Sequence, residues 1–206
     1  MIGQPAHGRA PRRFLAASLL AVTPLTACAL GASPPPADPL SVVEEWVKAR
    51  DAGDVEVAMA LLADEGDIFG IGIHLPGNRD RLRAIFEAQA IAGWTIEETD
   101  CRVDGESVTC RYRQLDDVLR RWDLALTGEH RYVVRDGRLA RIHRIHDRSS
   151  ERTVYATAAA FRDWVREEHP ALFDVIWVDL DSALYTTPDG ARAVLDLLDE
   201  YEAAGS

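Results

Sequence analysis

The chain has 206 residues, 47% of them apolar, and 34 acidic against 23 basic side chains, a formal charge of −11. That length suits one domain, or one with an extension, and the apolar share is enough for a real core. The acidic balance argues against nucleic-acid binding, which needs basic surface.

Residues 1–27 have the three parts of an export signal. Arg9, Arg12 and Arg13 come first, with no acid among them. Phe14 to Thr26 is then dominated by Leu, Ala and Val, and is too short to span a bilayer comfortably. It ends in Leu25-Thr26-Ala27-Cys28, which resembles the lipobox of bacterial lipoproteins. The resemblance implies cleavage before Cys28, a lipid on its thiol, palmitate-type acyl chains, and anchoring on the extracytoplasmic face of the cell membrane. Two acyl chains are enough for stable anchoring where one is marginal. An ordinary signal with a chance cysteine is the plainer alternative, and Arg12-Arg13 leaves a twin-arginine route open. Removing residues 1–27 leaves 20 basic and 34 acidic residues, a net charge of −14. Residues 28–39, with Ser33, Pro34, Pro35, Pro36 and Pro39, read as an extended tether.

Asp38-Pro39 predicts a helix start, with Asp as cap and Pro in the first turn. Val43, Trp46, Val47 and Arg50 follow helical spacing. Gly53-Asp54 breaks that helix and caps another, with Val55, Ala58, Met59 and Leu62 as its stripe. Ile68 to Ile73 reads as a short strand. Pro76-Gly77-Asn78 is a turn, and Asn78 caps a third helix with Leu82, Ile85, Phe86 and Gln89 on one face.

The period then changes to two. Trp94–Val103 and Val108–Leu115 flank a four-residue loop, the signature of a hairpin. Pairing Val103 with Val108 places Cys101 opposite Cys110, Asp100 opposite Arg111, and Glu98 opposite Arg113. Facing opposite charges favour that register, and the facing cysteines predict a disulfide in an oxidising compartment. Two free buried thiols are the alternative. Leu124–Arg135 and Arg138–His146 form a second pair around Asp136-Gly137. Ser149-Ser150-Glu151 is expected to cap a helix with Val154, Ala158, Phe161 and Val165 on one side, ending at His169-Pro170. Ala171–Leu180 is a further helix or a mixed apolar segment. Thr187-Pro188 opens the last helix, with Val194, Leu198 and Tyr201 as its stripe.

This order resembles the nuclear transport factor 2-like superfamily, which includes SnoaL-like and ketosteroid-isomerase-like proteins. The matching stretches are Trp46-Val47-Lys48-Ala49-Arg50-Asp51-Ala52-Gly53-Asp54, Leu61-Leu62-Ala63-Asp64-Glu65 and Asp136-Gly137-Arg138-Leu139. The resemblance implies an α+β cone over residues 40–147, with helices packed on a curved antiparallel sheet. Residues 148–206 fall outside it as a helical extension. Dimerisation through the open sheet face is common in that family. The isomerase residues do not carry over. The oxyanion-holding Tyr aligns with Trp46, the base Asp near Gly70, and the protonated Asp near His130. Without a base for the α-proton, that chemistry lacks its main group.

Other candidates are few. Trp46, His74, Trp94 and His130 are candidates to line a cone pocket, although core packing explains each tryptophan too. Asp64, Glu65 and Asp67 read more simply as a solvated turn. His143 and His146 lie three apart on a strand and so point to opposite faces, which argues against a shared metal ion. No phosphate loop, dinucleotide fingerprint or zinc spacing is present, so no cofactor is expected. The leading expectation is a lipid-anchored envelope protein whose cone binds a small apolar ligand or docks another envelope protein. The alternative is a SnoaL-like isomerase, cyclase or dehydratase with a rearranged acid and histidine set, such as His130 with His74. A third is a structural module whose cone is filled, with nothing near the roughly 300 Å³ of a ligand cavity.

Overall fold

The computed structural model describes residues 38–70, 73–76, 79–177 and 185–205, and for 68–70 and 73–76 the backbone alone. Cys28, most of the Pro-rich segment and the expected Asn78 cap lie outside the described residues. The described residues all belong to one compact unit of the chain.

Helix α1 runs Pro39–Asp51, with Asp38 accepting the Ser41 N–H at 3.1 Å. Its apolar stripe buries Val42, Val43, Trp46 and Ala49. Asp54 caps the short α2, Val55–Ala60, by accepting from Val57 N–H. Strands β1 (Leu62–Gly70) and β2 (Ile73–Pro76) form an antiparallel pair in which Gly70 meets Ile73. The run expected as one strand from Ile68 to Ile73 is therefore split between two arms, because the chain reverses within it. Helix α3 (Arg79–Ile91) follows, burying Leu82, Ile85 and Phe86.

The long strands are β3 (Thr95–Asp104), β4 (Ser107–Leu115), β5 (Leu126–Arg135) and β6 (Arg138–His146). A five-residue helix, α4 (Asp117–Arg121), sits between β4 and β5, capped by Asp116. The sheet order is β2-β1-β6-β5-β4-β3, antiparallel except where β1 lies parallel to β6. The fold is thus α+β, with helices packed on a curved, mostly antiparallel sheet. Trp46 packs edge-on against Phe86 and Tyr132 at the centre of the main core.

Helices α5 (Arg148–Glu168), α6 (Pro170–Ile176) and α7 (Pro188–Ala203) complete the unit. They build a second core from Phe161, Val165, Ile176, Trp177, Val194 and Leu198. Tyr185 ties this extension to the cap of α4, donating its hydroxyl to buried Asp116 at 2.9 Å. Asp147, not Ser149 or Ser150, stands at the α5 cap position. Both serines lie within the first turn, and the Ser150 hydroxyl instead donates to the Asp147 carbonyl at 3.0 Å. Among the described residues no helix is long and apolar enough to cross a membrane.

The β3–β4 hairpin departs from its expected register. Val103 does face Val108, and Arg102 faces Thr109. Beyond them the register shifts, so that Thr99 faces Arg111, Glu98 faces Tyr112 and Glu97 faces Arg113. Asp100 and Cys101 together oppose Cys110, which is a β-bulge. Asp100 adopts φ +51°, a left-handed conformation that Asp tolerates better than most residues. The expected Asp100–Arg111 and Glu98–Arg113 pairs are both lost to that extra residue. Cys101 and Cys110 are joined by a disulfide across the bulge. It closes a short loop, so a Cys101→Ala/Cys110→Ala double variant should lose about 2–3 kcal/mol of stability. Differential scanning calorimetry should then show Tm lower by roughly 5–10 °C. An unchanged Tm would mean that the bulge holds without its crosslink.

Candidate functional site

Alternation along β4, β5 and β6 sends Tyr112, His130, Tyr132, Arg144 and His146 to the concave face. The bulge adds Glu98 to the same face, where its side chain is only 9% exposed. His130 Nδ1 lies 2.6 Å from Glu98 Oε1, and the Tyr132 hydroxyl donates to that same oxygen. Arg144 Nε donates to His130 Nε2 at 2.8 Å. The Tyr112 ring stacks on His130 at 4.1 Å and 12°, and its hydroxyl meets His146 Nδ1. Gly128 makes this packing fit, because a Cβ there would stand 2.0 Å from the Ile145 carbonyl and 2.9 Å from the Tyr112 ring.

Burial dominates the electrostatics of this cluster. It pushes the Glu98 carboxyl up to about 7, against the Tyr132 hydrogen bond and the attraction of Arg144. It holds His130 well below the usual imidazole range, and Arg144 adds to that. His146 is lowered to about 3, again by burial first and Arg144 second. Tyr132 is driven well above a normal phenol by burial and by Glu98. At neutral pH, then, both imidazoles and Tyr132 are uncharged, and Glu98 sits close to its midpoint. Its other oxygen, Oε2, is buried without a hydrogen-bond partner.

A buried cation, Arg50, lies nearby. Arg50 donates to Gln89 Oε1, and its guanidinium stands 3.7 Å from the Phe86 ring centre and 4.5 Å from that of Trp94. Burial, then the like charge of Arg144, lowers it to about 9. The next residue, Asp51, accepts the Ile96 N–H at 2.8 Å and pins the end of α1 to β3.

Glu98 also lines an open groove of about 540 Å³ between α1 and β3. Leu40, Val43 and Val47 supply its apolar wall, and Glu44, Lys48 and Asp51 its charged groups. Cys101 lies beside Glu98 on the β3 side. A further depression of about 530 Å³ lies on the other face of the sheet, around Asp64, Arg135 and Arg138. Its charges are exposed, with Asp64 paired loosely to Arg79 at 3.6 Å and to Arg138 at 3.9 Å. No group in it is held away from water in the way Glu98 is.

The structure places the four pocket candidates in different settings. Trp46 and Trp94 are buried in the core, each with an indole N–H that has no partner. His130 is wholly buried beside Glu98. His74 lies on β2, its backbone opposite Phe69, and its side chain is outside the described residues. His143 is exposed and pairs with Arg131, whereas His146 turns inward opposite Gly128. Sequence reasoning missed Glu98, Tyr132 and Arg144. The spacing of His130 and Tyr132 on one strand face was the available sign of a shared cluster.

No family model and no curated protein matches this chain. Its structure is similar to that of a protein of unknown function, NTF2-like, from Cytophaga hutchinsonii, with TM-score 0.46 and 14% identity over 53% of this chain and 90% of that one. It is similar to a proposed polyketide cyclase from Sinorhizobium meliloti, with TM-score 0.45 and 21% identity over 51% and 94% of the two chains. An epoxide hydrolase/cyclase-like enzyme of pyran-ring formation in salinomycin gives TM-score 0.47 and 17% identity over 54% and 92%.

The raised carboxyl sets a pH dependence. A Glu whose folded pKa lies above its unfolded one, near 4.5, stabilises the fold when protonated, and that contribution is lost as pH rises through about 7. Glu98→Gln removes the titration. Urea unfolding should show the variant gaining on wild type by about 3 kcal/mol between pH 4.5 and 8. A constant difference across that range would refute the buried, raised carboxyl.

Proposed function

We propose that the domain takes a small organic molecule into the α1–β3 groove and exchanges a proton with it through Glu98. The reaction class is isomerase, cyclase or dehydratase. One observation carries this reading: Glu98, whose carboxyl is raised to about 7, is among the residues that line a ligand-sized groove. A general base works best when its pKa lies near the operating pH, and desolvated acids on pocket walls are recurrent catalytic groups. The half-apolar wall suits a substrate with a hydrocarbon body. In the step itself, a C–H bond next to a carbonyl breaks, its proton passes to Glu98, and the electron pair moves onto the carbonyl oxygen. Glu98 then returns the proton to another carbon, or the enolate closes a ring or expels a leaving group. The similar proteins described as cyclases and epoxide hydrolase/cyclase-like are compatible with this class and do not decide it.

Proton–deuterium exchange in D2O tests the reading without knowledge of the true substrate. With a panel of cyclic ketones and β-keto esters, followed by NMR, wild type should catalyse α-proton exchange in at least one compound. The rate should rise with pH through about 7, as the carboxylate forms. Glu98→Gln should lower it about 10²- to 10⁴-fold. Ligands that bind without exchanging, or exchange that survives Glu98→Gln, overturn the enzyme reading. Binding without exchange would return the domain to the role of a small-molecule carrier.

We infer also that the chain acts at a membrane surface, held through Cys28. The Leu25-Thr26-Ala27-Cys28 motif and the prolines after it support this. Metabolic labelling of the full chain with tritiated palmitate in a bacterial host should mark wild type. Cys28→Ala should lose the label and leave the detergent phase. Label retained in the variant, or absent from wild type, rules the anchor out.

A further inference from the structure

The order of hydrogen bonds along Glu98, His130 and Arg144 fixes where one proton sits. An arginine Nε carries a hydrogen and is a donor only. Arg144 Nε lies 2.8 Å from His130 Nε2, so Nε2 must offer its lone pair. A neutral imidazole then carries its hydrogen on Nδ1. That nitrogen lies 2.6 Å from Glu98 Oε1 and donates to it. Tyr132 donates to the same oxygen. The ring is wholly buried, and the Tyr112 ring lying flat on it at 4.1 Å fixes its plane. A second proton on His130 would have to point at a guanidinium. Oε1 is therefore occupied by two donors, while Oε2 has none.

We propose that Arg144 is a positioning residue that locks His130 as its Nδ1–H tautomer, so that the ring donates to Oε1 of Glu98 and holds that carboxyl in place. This rests on the reading of Glu98 as the acid–base group. His130 is then neither base nor acid, and its role is to aim Glu98. The charged and titratable groups facing the imidazole are Glu98, Tyr112, Tyr132 and Arg144. His146 lies beyond them, and Arg50 is in turn felt by Arg144.

Long-range proton–nitrogen NMR on histidine-labelled protein reads the tautomer without any turnover. In wild type, His130 Nδ1 should show the shift of a protonated ring nitrogen and Nε2 that of an unprotonated one, unchanged from pH 6 to 8. Arg144→Met should lose that single state, with both tautomers populated. It should also lower α-proton exchange about 10- to 100-fold, the size of effect seen when a partner that orients a metal-bound imidazole is lost. Arg144→Lys keeps a cationic donor and should restore the tautomer and most of the exchange. A merely structural Arg144 would lower Tm in the Met variant and leave the tautomer alone. A proton on Nε2 in wild type overturns the proposal, as does an Nδ1–H tautomer that persists in Arg144→Met. Should that variant fail to fold, the wild-type and Arg144→Lys spectra decide. The stated tautomer in a protein that exchanges no proton would sink the enzyme reading and leave the lock standing.

Discussion

Asp100 and Cys101 share one partner, Cys110, and the chemistry of the concave face follows from that extra residue. A strand alternates with period two, so an unbulged hairpin in register at Val103–Val108 would place Glu98 beside Arg113 in water. The bulge moves Glu98 one position, from the solvated face to a place opposite Tyr112. A carboxylate that would have been an ordinary surface acid is then 9% exposed and bonded to His130 and Tyr132. The disulfide holds both sides of the irregularity, and Cys101 and Glu98 reach the same groove.

Bringing that carboxyl inside has an electrostatic consequence, because two cations lie close by: half-buried Arg144 on the same face and buried Arg50 on α1. Buried charges cost several kcal/mol each unless they are paired. The structure treats the two in different ways. Arg50 feels the charge of Asp51 but hydrogen-bonds the Gln89 amide and lies among aromatic faces, a setting that suits a weakly hydrated guanidinium. Arg144 reaches Glu98 only through the imidazole of His130. A direct Arg–Glu pair would hold the carboxyl low. An interposed neutral ring weakens the attraction enough for desolvation to win, and the carboxyl stays near 7. The arrangement keeps Glu98 oriented without forcing it to remain ionised.

Much of this fold was legible in the sequence where local chemistry decides. Asp38, Asp54 and Thr187 cap the helices that their positions predict. The turn at Asp136-Gly137 joins two strands where expected, although β5 starts at Leu126 and not at Leu124. The misses share a physical cause. A bulge at a non-glycine residue leaves no strong local mark, so one shifted residue overturned two charge pairings that had looked mutually supporting. Helix α4 is too short for a periodic signal and depends on tertiary support, since the Asp117 N–H donates to the Ala92 carbonyl at 2.8 Å. Arg144 reads as a surface residue between His143 and Ile145. Its role depends on strand pairing, which brings it opposite His130.

Aromatic packing around Trp46 takes up the centre of the main core. Trp46 stands at the position aligned with a phenol donor, and it packs against Phe86 and Tyr132. That aromatic contact fills the space between α1, α3 and β5 with ring surface. Tyr132 still offers a hydroxyl, but from the sheet, and it is spent on Glu98. The ionisable set is therefore assembled from strands β3 to β6 alone, and α1 contributes a wall. The open groove lies to the side, lined by Val43 and Val47 of α1 and by Glu98 and Cys101 of β3. Because Asp51 holds the end of α1 to Ile96, two residues from Glu98, the width of that opening and the placement of the carboxyl depend on the same contact.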